Sequence, residues 1–155
     1  MTIKITSSAF TEGSMIPKRY TCDAEDVSPH LVWTDVPEGT KSLALICDDP
    51  DAPMGTWVHW VHWVLFNLPP DINKLHAEIP PEKTLKNSAR HGKNDFGKFG
   101  YGGPCPPSGT HRYFFKLYAL DTRIKLESGI TKVQLLEAMN GHILDEGQLM
   151  WKYKR

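Results

Sequence analysis

Apolar residues in this chain come in short bursts, several of them alternating with polar ones, and proline or glycine separates one burst from the next. Alternation with a period of two marks strands that bury one face. The pattern predicts strands over 2–6 (TIKIT), 31–34 (LVWT), 42–48 (SLALICD), 58–67 (VHWVHWVLFN), 112–120 (RYFFKLYAL) and 149–153 (LMWKY). One longer helical pattern covers 132–143. There Thr131 and Gln134 form a T-x-x-Q capping box, Val133, Leu136 and Met139 or Ala138 supply an apolar side, and Gly141 ends or interrupts the helix. Between the fourth and fifth strands runs a Gly-rich loop, HGKNDFGKFGYGGPCPPSGT (91–110). A loop of that length in a compact domain is functional or disordered. Its aromatics Phe96, Phe99 and Tyr101 favour order, and Phe96 and Tyr101 either rim a pocket or pin the loop. The class expected is mainly β, with a helix near the C-terminus.

The stretch TWVHWVHWVLFNLP (56–69) repeats Trp-Val-His and raises the question of a paired-histidine metal site. Its density of Trp, Val and Phe favours a strand. On a regular strand His59 shares a face with Trp57, Val61, Trp63, Leu65 and Asn67, and His62 shares the other with Val58, Trp60, Val64 and Phe66. The two rings then point apart and do not chelate one ion. Both faces are apolar, which predicts a central strand covered on both sides.

Partners for a functional histidine stand at two strand ends. DDPDAP (48–53) follows the apolar run SLALIC, and alternation puts Asp49 on the face of Leu43, Leu45 and Cys47. Pro50 and Pro53 would fix the turn there. GTHRY (109–113) opens the next long strand, with His111 and Tyr113 on one face beside Phe115 and Leu117. Taken singly, these are a rigid turn and an ordinary strand start. Taken with His62, they make a constellation of one Asp, two His and one Tyr.

Composition narrows the classes. The 155 residues fit one domain, 1–155, large enough to bury a core without disulfides or metal. Eighteen basic and eighteen acidic residues balance, which argues against nucleic acid and acidic membranes as partners. The terminal WKYKR is too short a basic run to alter that. The three cysteines, Cys22, Cys47 and Cys105, form no CxxC pair. No secretory h-region opens the chain, and no apolar run reaches the roughly 18 residues of a membrane helix. The expectation is a cytoplasmic protein without stable membrane insertion.

The motifs in order resemble one family. YTCDAEDVSPHLVW (20–33), DDPDAP (48–53), HWVLFNLP (62–69), NDFGKFGYGGPCPPSGTHRYFFKLYALD (94–121) and GHILDEGQLM (141–150) are similar to the phosphatidylethanolamine-binding proteins, also called Raf kinase inhibitor proteins, in their small bacterial and archaeal branch. The resemblance implies a large central antiparallel sheet, a smaller second sheet and peripheral helices. It also implies one small anion pocket at a sheet edge, taking phosphate, acetate or cacodylate-like ions, or the head group of a phosphorylated ligand. Carried over by motif, the site residues are Asp49, Asp51, His62, Cys105, Pro106, Pro107, His111 and Tyr113, with Asn67-Leu68-Pro69 fixing His62 as the family's histidine. The extra Trp57-Val58-His59 departs from the pattern, as does the lack of the longer C-terminal helix of animal members.

Both Cys22 and Cys105 lie in loops of these motifs, so a disulfide is conceivable, but free thiols are expected in a reducing cytoplasm. The leading functional reading is a non-enzymatic binding or regulatory module, inhibitor-like toward a kinase or protease, with no cofactor and with apolar surface that allows a homodimer. The alternatives are a hydrolase using the Asp/His/His/Tyr group with Ser108 or Cys105 as nucleophile, or a metal-binding protein using His62, His111 and Asp49.

Overall fold

Strand alternation sorts the apolar side chains into two clusters, and the layers of the molecule follow from them. The computed structural model describes residues 2–51 and 60–155. Its elements are β1 (Lys4–Thr6), a 3₁₀ turn at Lys18–Tyr20, β2 (Leu31–Thr34), β3 (Ser42–Asp49), β4 (Trp60–Leu68), β5 (Lys74–Leu75), β6 (Arg90–His91), β7 (Thr110–Leu120), α1 (Lys132–Met139) and β8 (Ile143–Lys154). A five-stranded sheet runs β6-β4-β3-β7-β8 and a three-stranded sheet runs β1-β2-β5. Every strand pair in both is antiparallel. The mainly β class, with a large and a small antiparallel sheet, is as the sequence implied.

One face of the large sheet, with Leu43, Leu45, Cys47, Trp63, Leu65, Tyr113, Phe115, Leu117, Leu149 and Trp151, packs on Ile5, Leu31, Trp33 and Leu75 of the small sheet. The opposite face, with Ala44, Ile46, Val61, Val64 and Phe66, is covered by Leu135 and Met139 of α1. β3 and β4 lie inside the sheet with all or nearly all residues buried, which explains their unbroken apolar runs. The outer edge of β8 is sealed by residues 13–16, through Gly13 N–H to Met150 O (2.7 Å) and Ile16 N–H to Lys152 O (2.8 Å).

Three expectations are corrected. The helix stops at Met139 rather than 143: Gly141 takes φ +82°, and Ile143 already pairs with Leu120 in the sheet. Its capping box forms, Gln134 N–H donating to Thr131 Oγ1 at 3.2 Å, but its buried side is Leu135 and Met139, while Val133 and Leu136 are exposed. Second, β8 is more than twice the predicted 149–153. Third, β4 is not regular. Cys47 pairs with Trp63 but Asp48 with Val61, so His62 is an extra residue in the ladder. A second irregularity falls at Asn67, φ +58°, whose amide side chain clasps Ile124 through its N–H and C=O, both at 2.8 Å. Positions 58 and 59 of the predicted strand lie outside the described residues.

Two buried polar side chains, Asp48 and His91, show how the interior meets its charges and donors. Asp48 is wholly buried beside Lys132 (2.7 Å) and Lys116 (3.3 Å). Burial alone would raise its carboxyl, but the two ammonium groups win and hold it below the usual range. His91, also wholly buried, uses both ring nitrogens: Nδ1–H donates to Glu82 O (2.6 Å) and Nε2 accepts from Trp63 Nε1–H (3.0 Å). Only the neutral ring can do both, and burial pushes its pKa down.

A lowered histidine pKa in the fold means the unfolded chain binds more protons, so this contribution is complete above about pH 6.5 and is lost as pH falls toward the folded value. Removing the ring orphans the Trp63 indole N–H. His91→Gln is expected to cost about 1–3 kcal/mol in urea unfolding. It should also flatten the fall in stability between about pH 6.5 and pH 5; an unchanged slope would refute the assignment.

Candidate functional site

At the end of the large sheet where β3 stops and β4 and β7 begin, a cavity of about 160 Å³ is lined by Asp49, Trp60, His62, Phe96, Cys105, Pro106, Pro107, His111 and Tyr113. Drug-sized ligands need roughly 300 Å³ or more, whereas roughly 150 Å³ holds a benzene-sized molecule. The space suits one small group.

His62 reaches this cavity because of the irregularity in β4. On an unbroken strand it would share the helix-covered face with Val64 and Phe66. The inserted residue turns it to the side of Trp63 and Leu65 instead, so the face expected for His62 is corrected. The 91–109 loop holds the distortion. Asp95 bonds Val61 twice, N–H to Val61 O (2.9 Å) and Oδ2 from Val61 N–H (2.7 Å). Gly102 bonds His62 twice, N–H to His62 O (2.9 Å) and O from the His62 ring Nδ1–H (2.6 Å). The ring also meets Phe96 and Tyr113 edge-on, at centroid separations of 5.5 and 5.1 Å. Burial, set against the Gly102 bond and the field of Asp49, pushes the His62 pKa down. His59 lies outside the described residues, and so does the comparison of the two histidine faces.

His111 and Tyr113 extend the buried face of β7 to its open end, as alternation predicted. His111 Nδ1–H donates to Asp49 Oδ2 at 2.7 Å, with both side chains nearly buried, and Asp49 Oδ1 accepts from Asp51 N–H at 2.7 Å. Asp49 is thus an orienting group for an imidazole. Asp51 does not line the cavity. Its carboxylate grips Arg112 through the backbone N–H, Nε and Nη2, each at 2.9 Å, and the Arg112 hydrogen bond holds it below the usual carboxylate range. Burial, then the nearby Asp49, pushes the Tyr113 hydroxyl well up, so it stays an O–H donor.

The far wall comes from the long loop. Cys105 is joined to Cys22 by a disulfide, which corrects the expectation of free thiols and removes Cys105 as a nucleophile. Tyr101 O–H to Tyr20 O (2.7 Å), Cys22 N–H to Pro104 O (3.1 Å) and Gly103 N–H to Asp26 Oδ1 (2.7 Å) sew the loop to residues 20–26. A Cβ at Gly103 would collide with Tyr20 O, so only glycine allows this approach. Phe96 rims the cavity and Tyr101 pins the loop, which resolves that alternative. Arg155 Nη1 approaches Cys105 Sγ at 3.5 Å while its Nε pairs with Asp23. Ser108 is exposed and outside the lining. Among the described residues no group of three or more His, Cys, Asp or Glu is arranged to hold a metal.

Sequence reasoning missed Trp60 and the Gly102 carbonyl. Trp60 follows from the bulge, which the sequence does not announce. A backbone carbonyl leaves no mark in a side-chain pattern. The arrangement offers fixed imidazoles, a phenolic donor and apolar walls, which suits orienting a small polar group.

Fold and site define a class: a two-sheet β domain with a small His/Asp/Tyr pocket at its strand ends. The chain belongs to the phosphatidylethanolamine-binding protein family, whose sequence model matches residues 6–154. A UPF0098 protein of Methanothermobacter thermautotrophicus is 52% identical over 153 residues, covering 99% of both chains. The crystal structure of a phosphatidylethanolamine-binding protein homologue from Chlamydia trachomatis is 42% identical, with TM-score 0.89 over 99% of this chain and 97% of that one. E. coli YbcL, described as a member of the mammalian family, is 32% identical, with TM-score 0.90 over 100% and 99%. Among the described residues no helix is long and apolar enough to cross a membrane.

The disulfide closes a loop between positions 83 apart, so breaking it frees the denatured chain. Reduction, or Cys22→Ser, is expected to lower unfolding stability by about 2–4 kcal/mol. Urea unfolding with and without reductant reads this, and coincident midpoints would contradict it.

Proposed function

We propose that this chain is a non-catalytic binding and regulatory module whose pocket holds a small anion, either phosphate or a phosphorylated head group, presented free or on a partner protein. The observation that carries the reading is the convergence of His62, His111, Asp49 and Tyr113 from three separate strands on one cavity of about 160 Å³. Two imidazoles and a phenol can surround an oxyanion, and Asp49 orients one of them. Family membership supports a ligand-binding role of this kind. A kinase or protease is the partner class in view, bound through the rigid rim of the pocket. The hydrolase alternative loses support, since the Cys105 thiol is spent in a disulfide and Ser108 stands outside the cavity.

Titration calorimetry with inorganic phosphate tests the reading. Binding should be abolished in His62→Ala and in His111→Ala, and retained in His59→Ala. An anion raises the pKa of a nearby imidazole, so affinity should weaken as pH rises through the histidine range. Phosphate binding that survives loss of His62 would place the site elsewhere.

A further inference from the structure

Two loops meet at the far wall of the pocket, and the ties between them are unevenly placed. Tyr101 O–H to Tyr20 O (2.7 Å), Gly103 N–H to Asp26 Oδ1 (2.7 Å) and Cys22 N–H to Pro104 O (3.1 Å) hold the long loop as far as Pro104. The residues of this loop end that line the cavity come after them: Cys105, Pro106 and Pro107. Pro106 and Pro107 have no N–H to donate, and Pro107, Ser108 and Gly109 are exposed. Among the described residues, the hydrogen bond that reaches 105–109 comes from Arg155 Nη1 to Cys105 Sγ at 3.5 Å. The chain is next fixed at Thr110, where β7 pairs with β8. What fastens the lining segment between those two points is the covalent bond from Cys105 to Cys22.

That bond is open to thiol exchange, because Cys22 and Cys105 are both only half-buried. The Arg155 guanidinium beside Cys105 Sγ, itself paired through Nε with Asp23 (3.1 Å), favours departure of that sulfur as a thiolate. We propose that the Cys22–Cys105 disulfide is a redox latch on the pocket: a thiol reductant releases the 105–109 wall and lowers the pocket's hold on its ligand, and re-oxidation restores both. This names a regulation of the site and, for the ligand, rests on the anion-pocket reading. A reductant thiolate attacks the Cys22 sulfur and forms a mixed disulfide, while the bond to Cys105 breaks and its electron pair leaves on Cys105. A second reductant thiolate attacks the reductant's sulfur in that mixed disulfide and frees Cys22. The two protons given up by the reductant thiols end on the two cysteines, so one disulfide is reduced as another forms. The clasp at 101–104 involves no sulfur and outlasts the exchange. Gly102 keeps both its bonds to His62, and the freed thiols stay close enough to re-form their bond.

The test uses the unmodified protein, oxidised and after treatment with dithiothreitol. Backbone order parameters from nuclear relaxation read the wall. At Cys105, Ser108 and Gly109 they are expected to fall below about 0.6 on reduction, while those of His62, Gly102 and Gly103 hold. Calorimetry with inorganic phosphate as the probe should show affinity at least about fivefold weaker in the reduced protein, recovered after oxidised glutathione. Unchanged order parameters over 105–109 overturn the latch. Loss of amide dispersion throughout both sheets overturns it too, since the disulfide is then a staple of the whole fold. A released wall with unchanged phosphate affinity overturns the control of the site and leaves the anion pocket standing. Phosphate binding to neither form overturns the anion-pocket reading, and the order parameters alone then decide the latch.

Discussion

The site depends on one extra residue in a central strand. With Cys47 opposite Trp63 and Asp48 opposite Val61, β4 must absorb His62 without a partner, and doing so turns the imidazole from the helix-covered face to the pocket face. A bulge in a buried strand loses ladder bonds and needs replacements. The 91–109 loop supplies them, through Asp95 to the backbone of Val61 and Gly102 to both the backbone and the ring of His62. The loop that forms the pocket wall is thus also what holds the key ring in place. Wall and ring form a single hydrogen-bonded unit.

The rest of the fold makes that unit rigid. β3 and β7, paired over seven consecutive residues, present Asp49 and the His111/Tyr113 face at the same sheet end, so the catch between Asp49 and His111 is set by ladder register. Behind them Tyr113 stacks toward Trp151, and Trp151 packs on Phe115 and Phe10. The disulfide and three hydrogen bonds fasten the loop to residues 20–26. A site built on strand ends and braced from behind is held in one arrangement, which is the build that recognition by shape and hydrogen-bond pattern requires.

Much of this was legible in the sequence, and the gaps have physical causes. Alternation located every long strand and put Asp49 with Cys47 and His111 with Phe115 correctly, because those strands are regular where it matters. Periodicity gives the wrong face for His62, since a period of two cannot register an inserted residue; the motif ending in Asn67-Leu68-Pro69 points to His62, which lines the cavity. The short β5 and β6 carry too few residues for a pattern. The helix was overrun because its apolar residues continue into Ile143 and Leu144 of β8, which pattern alone does not separate from a last turn. A reducing compartment predicts free thiols, but the two loops bring Cys22 and Cys105 together in a disulfide.

Size then constrains what the pocket can contribute. A phosphate group, the ligand proposed above, has five non-hydrogen atoms, and the best small ligands gain at most about 1.5 kcal/mol per such atom, so the cavity alone would supply roughly 7–8 kcal/mol, or micromolar affinity at most. Aromatic and proline walls, Trp60, Phe96, Pro106 and Pro107, add apolar contact at the mouth rather than further charge. Phe96 remains 42% exposed there. Binding tighter than micromolar therefore requires contact beyond the cavity, across the rim formed by the loop and the strand ends. On the proposed reading, a module of this build would read one small group deeply and draw the remainder of its affinity from the surface that carries that group.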